Sequence, residues 1–119
     1  METLKLIYKV LDNKKGENIV IYNIQTVSTI ADYMIICTCT SEVHLEAVAD
    51  ELLYVMKHEK NLLPIAVDGL GRSRWVCIDF GDVIIHLMTD DTRKFYDLES
   101  IWGDCDRISI ANEVNSGNN

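Results

Sequence analysis

The chain has little proline, little glycine and no long apolar run. One proline and six glycines, with hydrophobic residues at 48% of the chain, exclude disorder for the chain as a whole. Its apolar runs fall far short of the ~20 residues needed to span a bilayer. The N-terminus carries Glu2 and lacks an apolar block of the signal-peptide type. We therefore expect a soluble, cytoplasmic globular protein with no membrane contact.

Basic residues and cysteines are also scarce. Eleven Lys and Arg face nineteen Asp and Glu, which gives a formal net charge of −8. Such a chain repels a phosphate backbone, so we expect no direct nucleic-acid recognition, whereas a basic protein partner is favoured. The four cysteines form no Cys-x-x-Cys pair, which predicts free thiols and not a disulfide framework.

Hydrophobic periodicity predicts the order of the first elements. One face of a first helix carries the apolar residues Leu4, Ile7, Tyr8 and Leu11. The β-branched runs NIVIYNI and DYMIICTC follow, and both are typical of inner strands that are buried on two faces. Ser41 begins the longest predicted helix, and Pro64 lies beyond its end because proline cannot continue a helix.

The second half of the chain predicts three strands and a last helix. The strands are PIAVDG and two apolar runs, and the helix begins at a capping residue, Asp91 or Thr92, and runs through Trp102. We expect an α/β fold, in which residues 1–110 form a single domain with a mixed, roughly five-stranded sheet flanked by helices. The polar segment ANEVNSGNN, residues 111–119, is predicted to be a disordered tail.

The stretch RWVCIDFGDVIIHLM, residues 74–88, predicts a β-hairpin. Gly81 and Asp82 separate its two apolar runs, and glycine supplies the positive φ that a two-residue loop requires. In that register one face is wholly apolar and is predicted to be core. Its pairs are Phe80 with Val83, Ile78 with Ile85, and Val76 with Leu87.

The other face of the hairpin is mixed. Its pairs are Trp75 with Met88, Cys77 with His86, and Asp79 with Ile84. Tryptophan, methionine and arginine are enriched where one protein docks on another, and Arg72 and Arg74 lie beside this face. We therefore predict that it binds a partner.

Two alternatives concern metal and catalysis. Cys77, Asp79 and His86 share the mixed face, and each side chain is a possible zinc ligand, but no second cluster supplies a fourth ligand. A metal-dependent nucleotidyl-transfer enzyme would use Asp79, Asp82 and His86. Helix capping explains the nearby Asp90 and Asp91 better than a metal-binding carboxylate pair does, and no nucleophile has an obvious base beside it. We expect no metal, no cofactor and no catalytic residue.

Several segments resemble one known family in order and spacing. They are STIADYMIICTCTS, a helix containing VADEL, VDG, RWVCIDFGDVIIHLM and RKFYDLESIWGD, which together cover about Leu4 to Asp106. This arrangement resembles the ribosomal silencing factor family, also called RsfS or Iojap. The resemblance implies a small α/β fold that is shaped like a nucleotidyltransferase but lacks its catalysis.

The resemblance also implies a function. Members bind the large ribosomal subunit through its protein fourteen, block joining with the small subunit and repress translation under nutrient limitation; free members are often homodimers. The hairpin is the most recognisable family segment, and its Trp75 side is expected to contact the partner. The expected partner-binding residues are Arg72, Arg74, Trp75, Cys77, Asp79, Ile84, His86 and Met88. Tyr96, Leu98, Glu99 and Trp102 are expected to support that surface.

Overall fold

The computed structural model describes residues 1–71 and 73–110 of the chain. Its helices are α1 (Glu2–Asn13), α2 (Glu42–Lys60) and α3 (Asp90–Tyr96), with a 3-10 turn at Leu98–Ser100. Its strands are β1 (Glu17–Asn23), β2 (Tyr33–Cys39), β3 (Ala66–Asp68), β4 (Trp75–Asp79), β5 (Val83–Thr89) and β6 (Asp106–Ile108). Arg72 and the predicted tail 111–119 lie outside the described residues.

The strands form one mixed sheet in the order β3-β4-β5-β2-β1-β6. β2 and β5 run parallel, and the other neighbours run antiparallel. The α/β fold with a mixed sheet is therefore confirmed, but the described residues form six strands where five were predicted. In the same part of the chain, no helix is long and apolar enough to cross a membrane.

One face of the sheet carries α1, α2 and the larger apolar core. The predicted stripe of α1 is buried at Leu4, Ile7 and Leu11, and α2 buries Leu45, Val48, Ala49, Leu52 and Met56. As predicted, Ser41 is the N-cap of α2, and its hydroxyl accepts a hydrogen bond from the His44 backbone N–H at 3.0 Å.

The predicted hairpin register is confirmed. Val76 pairs with Leu87 and Ile78 with Ile85, and all four side chains are fully buried in the larger core. The Phe80 N–H donates to the Val83 carbonyl at 2.9 Å, which closes the turn. Gly81 lies at a φ of 93°, a conformation that favours glycine because it has no Cβ.

The other face of the sheet carries a second apolar cluster. Tyr22, Ile24, Ala31, Met34, Ile36, Ile84 and Met88 are buried there, and Leu98, Trp102 and Cys105 pack against them. The prediction that Ile84 and Met88 face a partner is wrong, because their exposed fractions are only 9% and 0%. The segment after α3 folds back over these side chains.

The last predicted helix is interrupted. α3 ends at Tyr96, and Asp97 adopts a left-handed conformation with a φ of 47° before the 3-10 turn begins. The predicted N-cap, Asp91 or Thr92, is also wrong, since Thr89 is the N-cap residue and its hydroxyl donates to Asp91 Oδ1 at 2.7 Å. The interruption turns the chain, so that Leu98 and Trp102 reach the second cluster.

Candidate docking surface

The second face of the sheet is only partly covered. Side chains alternate along a strand, so every second residue of β3, β4 and β5 points to this face. Six of these side chains remain at least partly exposed beside the second cluster. We call this set the open sheet face: Ala66, Asp68, Trp75, Cys77, Asp79 and His86. Asp68, Cys77 and His86 form one row across the three strands, and Ala66 and Asp79 form the next.

Trp75 is the largest side chain of the open sheet face and is half-buried. Its indole Nε1–H donates to His86 Nδ1 at 2.9 Å, and its ring lies 4.8 Å from the Tyr96 ring at an angle of 49°. Phe95 stands edge-on to Tyr96 at 5.0 Å and is 81% exposed. The three aromatic rings therefore form a continuous surface that begins on β4 and ends on α3.

A groove of about 530 Å³ runs beside these rings. Arg74 lines it and is exposed, with its guanidinium 3.3 Å from Asp91 Oδ2 and 3.8 Å from Glu42 Oε2. The hydrogen bond from Thr89 holds the pKa of Asp91 below its ordinary value. Solvent weakens these exposed ion pairs, so an incoming partner can exchange them at little cost.

The open sheet face is acidic. Burial, together with the nearby Asp68 and Asp79 carboxylates, raises the pKa of the Cys77 thiol, so that the thiol stays neutral. Burial also lowers the pKa of His86 from 6.5 to about 4, so the imidazole is neutral at physiological pH. The carboxylates of Asp68 and Asp79 are the charged groups that remain on this face.

A buried arginine holds α3 against the sheet. The Arg93 Nε and Nη2 atoms donate to Glu99 at 2.7 and 3.1 Å, while Nη1 donates to the Asn18 carbonyl at 2.7 Å and to Thr38 Oγ1 at 2.8 Å. The hydrogen bonds that Glu99 accepts from Arg93 hold the pKa of Glu99 below its ordinary value. Arg93 thereby joins α3 to the strands beneath it and to the 3-10 turn.

The predicted site residues divide into four groups. Trp75, Cys77, Asp79 and His86 share the open sheet face, and Arg74 lies at its rim. Ile84 and Met88 are buried, and Arg72 lies outside the described residues. Among the supporting residues, Tyr96 packs on Trp75 and Glu99 pairs with Arg93. Leu98 and Trp102 cover the second cluster.

Sequence reasoning missed three residues. The last predicted helix includes Phe95, but the sequence does not indicate that its side chain is exposed. Its neighbour Tyr96 is among the expected supporting residues. Asp68 joins the surface because β3 pairs with β4, a pairing that a three-residue strand barely signals. Arg93 is 8% exposed, and its spacing of six residues from Glu99 matches no regular helix pair.

The two aspartates of the enzyme alternative make structural hydrogen bonds, Asp79 through its side chain and Asp82 through its backbone carbonyl. Asp79 Oδ1 accepts a hydrogen bond from the Gly81 N–H at 2.7 Å, and the Asp82 carbonyl accepts from the Asp32 and Tyr33 N–H groups at 2.8 and 3.0 Å. Throughout residues 1–71 and 73–110, no group of three or more His, Cys, Asp or Glu side chains is arranged to hold a metal ion.

Comparison with known proteins identifies relatives along the whole chain. Residues 1–119 match the family model described as ribosomal silencing factor during starvation. A ribosomal silencing factor of Halalkalibacterium halodurans is 36% identical, with 95% of this chain and 96% of that protein covered. A mouse protein named mitochondrial assembly of ribosomal large subunit protein 1 is 30% identical over 83% of this chain and 44% of its own length. A crystal structure from Chromobacterium violaceum has a TM-score of 0.82 and 29% identity, covering 86% and 84% of the two chains.

Proposed function

Because this chain belongs to the ribosomal silencing factor family, we propose that it binds the large ribosomal subunit in the cytoplasm and blocks its joining with the small subunit. The contact on the large subunit is its protein fourteen, and the result is repressed translation when nutrients are scarce. The single observation that carries the proposal is the family match over residues 1–119. The name of the mouse relative supports a large-subunit partner.

The open sheet face and its aromatic neighbours are the proposed docking surface. Trp75, Tyr96 and Phe95 provide the large rigid side chains that carry most of the binding energy in protein interfaces. Asp68 and Asp79 provide negative charge, and the chain as a whole carries −8. Proteins that neutralise RNA phosphates carry an excess of Lys and Arg, so a ribosomal protein offers the complementary sign.

The proposed mechanism is steric and needs no chemical step. The chain measures 38 × 32 × 27 Å, so even its shortest dimension holds the two subunit surfaces apart when one face is docked. A standard interface between two proteins buries about 800 Å² on each partner. Binding affinity and bulk are then sufficient, and the protein acts without catalysis.

Sedimentation of purified subunits tests the proposal. In a sucrose gradient at a magnesium concentration that favours joining, excess protein is expected to keep the subunits apart and to travel with the large one. Small subunits alone are not expected to carry it. Joined ribosomes that persist at saturating protein contradict the block, whereas protein that blocks joining while travelling with the small subunit contradicts the partner.

The family resemblance also implies that the free chain forms a homodimer, and we propose this as its ribosome-free state. Light scattering coupled to gel filtration measures the mass directly. A dimer of the 13.6 kDa chain is the expected result, and a monomer at every concentration contradicts it.

A further inference from the structure

Trp75 and His86 are joined by a hydrogen bond whose direction is fixed. An indole nitrogen can only donate, so His86 Nδ1 must accept the bond that the Trp75 Nε1–H makes at 2.9 Å. A neutral imidazole carries its single proton on the nitrogen that does not accept. The proton of His86 therefore resides on Nε2.

The Nε2 atom of His86 is not fully closed off from solvent. Among the described residues, no side-chain nitrogen or oxygen is both buried and without a hydrogen-bond partner. His86 has only its Nδ1 bond to Trp75 within that set. Nε2–H is consequently a donor that retains some contact with solvent on a partly buried residue, and the Trp75 bond to the other ring nitrogen fixes its direction.

We infer that Trp75 and His86 form a two-residue recognition unit, in which Trp75 imposes the Nε2–H tautomer and His86 donates that proton to a carbonyl oxygen of the docking partner. The inference rests on the proposed function and adds to it the chemistry of one contact. The bond orients both rings before the partner arrives, so less rotational freedom is lost on binding.

The charges around His86 favour a neutral acceptor. Asp68 and Cys77 lie in its row of the sheet, and Asp79 lies in the next row. The thiol is neutral because its pKa is raised, and both acids are carboxylates, so a carboxylate of the partner would meet like charge. A backbone or amide carbonyl accepts the Nε2–H without that repulsion.

Spectra of the free chain test the first half of the inference. With ¹⁵N-labelled protein, two-bond imidazole correlations report which nitrogen of His86 carries the proton, and the indole N–H resonance of Trp75 reports its bond. The expected result is a protonated Nε2 at neutral pH, with slow solvent exchange of the Trp75 indole proton. Protonated Nδ1, or an even mixture of the two tautomers, overturns the inference without involving the ribosome.

Two substitutions at one position test the second half. His86→Asn keeps an acceptor near the place of Nδ1 but removes the outer donor, whereas His86→Gln keeps a donor near the place of Nε2 but removes the inner acceptor. The Trp75 indole resonance is expected to stay in place in H86N and to shift in H86Q. Binding to large subunits is expected to follow the opposite order, with H86N roughly tenfold weaker than wild type and H86Q several-fold tighter than H86N.

This crossed pattern cannot come from a general loss of structure, which would move both measurements together. His58→Asn is the matched control, because His58 is exposed on α2, on the other side of the sheet, and its binding is expected to equal that of wild type. H86N that binds as tightly as wild type overturns the donor role. Wild-type protein that does not bind large subunits overturns the proposed function and with it the donor role, while the tautomer is still decided by the spectra of the free chain.

Discussion

Arg93 and Glu99 form a two-pronged ion pair across the left-handed turn at Asp97, with Nε–Oε1 and Nη2–Oε2 distances of 2.7 and 3.1 Å. The pair joins the end of α3 to the 3-10 turn. Since Nη1 also holds the Asn18 carbonyl and Thr38 Oγ1, the same guanidinium fixes both segments to the sheet. Tyr96, which packs on Trp75, is the last residue of α3 and directly precedes this turn.

Replacing this arginine is expected to destabilise the fold. Arg93→Met leaves Glu99 without its main partner and two further acceptors without a donor, which lowers the free energy of unfolding by about 3 kcal/mol. Lys94→Met is the matched control, because Lys94 pairs with Asp90 in an exposed i,i+4 bridge that contributes little. Urea denaturation measures the free energy of unfolding of both variants. Equal midpoints for the two variants would contradict the role of Arg93, and adding Glu99→Leu to Arg93→Met should recover part of the loss.

Removing the central aromatic ring is expected to weaken docking. Trp75→Ala should cost about 2 kcal/mol of binding free energy, or roughly thirtyfold in Kd, if Trp75 is an interface anchor. Tyr54→Ala is the control, because Tyr54 is an exposed aromatic on α2, on the other side of the sheet. Co-sedimentation with large subunits measures both variants, and circular dichroism checks that they are folded. Wild-type binding by Trp75→Ala would remove this residue from the docking surface.

Reversing one charge on the open sheet face is expected to slow association. Asp68→Lys removes negative charge where a basic partner approaches, so the association rate should fall several-fold and depend less on salt. Asp50→Lys is the control, because it changes the net charge by the same amount at an exposed position of α2. It should leave the association rate nearly unchanged. Surface-immobilised large subunits at low and high salt give the rates. If the two variants slow association equally, the attraction belongs to the whole molecule and not to this face.

The stability of the protein is expected to fall in mild acid because of His86. Its pKa drops from 6.5 to about 4 on folding, so the unfolded chain binds more protons between these values and stability rises with pH across that window. The free energy of unfolding above pH 6.5 exceeds its value below pH 4 by an amount on the order of 3 kcal/mol because of this group. Thermal melts from pH 4 to pH 6.5 should show a smaller slope for His86→Gln than for wild type. Parallel slopes would mean that His86 titrates freely in the folded protein.

The hairpin was predictable because two local signals agree. Every second residue of VCID and of VIIH is apolar, which defines a core face opposite a mixed face, and a glycine in the two-residue loop leaves few registers open. The pairs of Trp75 with Met88 and Cys77 with His86 follow directly and are the pairs observed. The stripe of α1 and the cap of α2 were predictable for the same reason, since each rests on residues close in sequence.

The coverage of the second face was not predictable in this way. Whether Met88 is exposed depends on the segment that returns from Asp97 onwards, and its path is set by Arg93, whose partners on the sheet are 75 and 55 residues away. β6 was missed because its sequence, DRI, is short and polar and becomes a strand only by pairing with β1. Contacts between residues distant in sequence therefore determine that Ile84 and Met88, and not the other residues of the mixed hairpin face, become buried.

The alternation of β4 has a genetic consequence. Val76 and Ile78 are fully buried, while Trp75, Cys77 and Asp79 between and beside them reach the open sheet face. Selection for folding therefore acts on the buried positions of the strand, and selection for partner binding acts on the positions between them. Alleles that abolish ribosome binding but leave protein abundance intact should map to the odd-numbered positions of this strand, and alleles that lower abundance should map to the even-numbered ones.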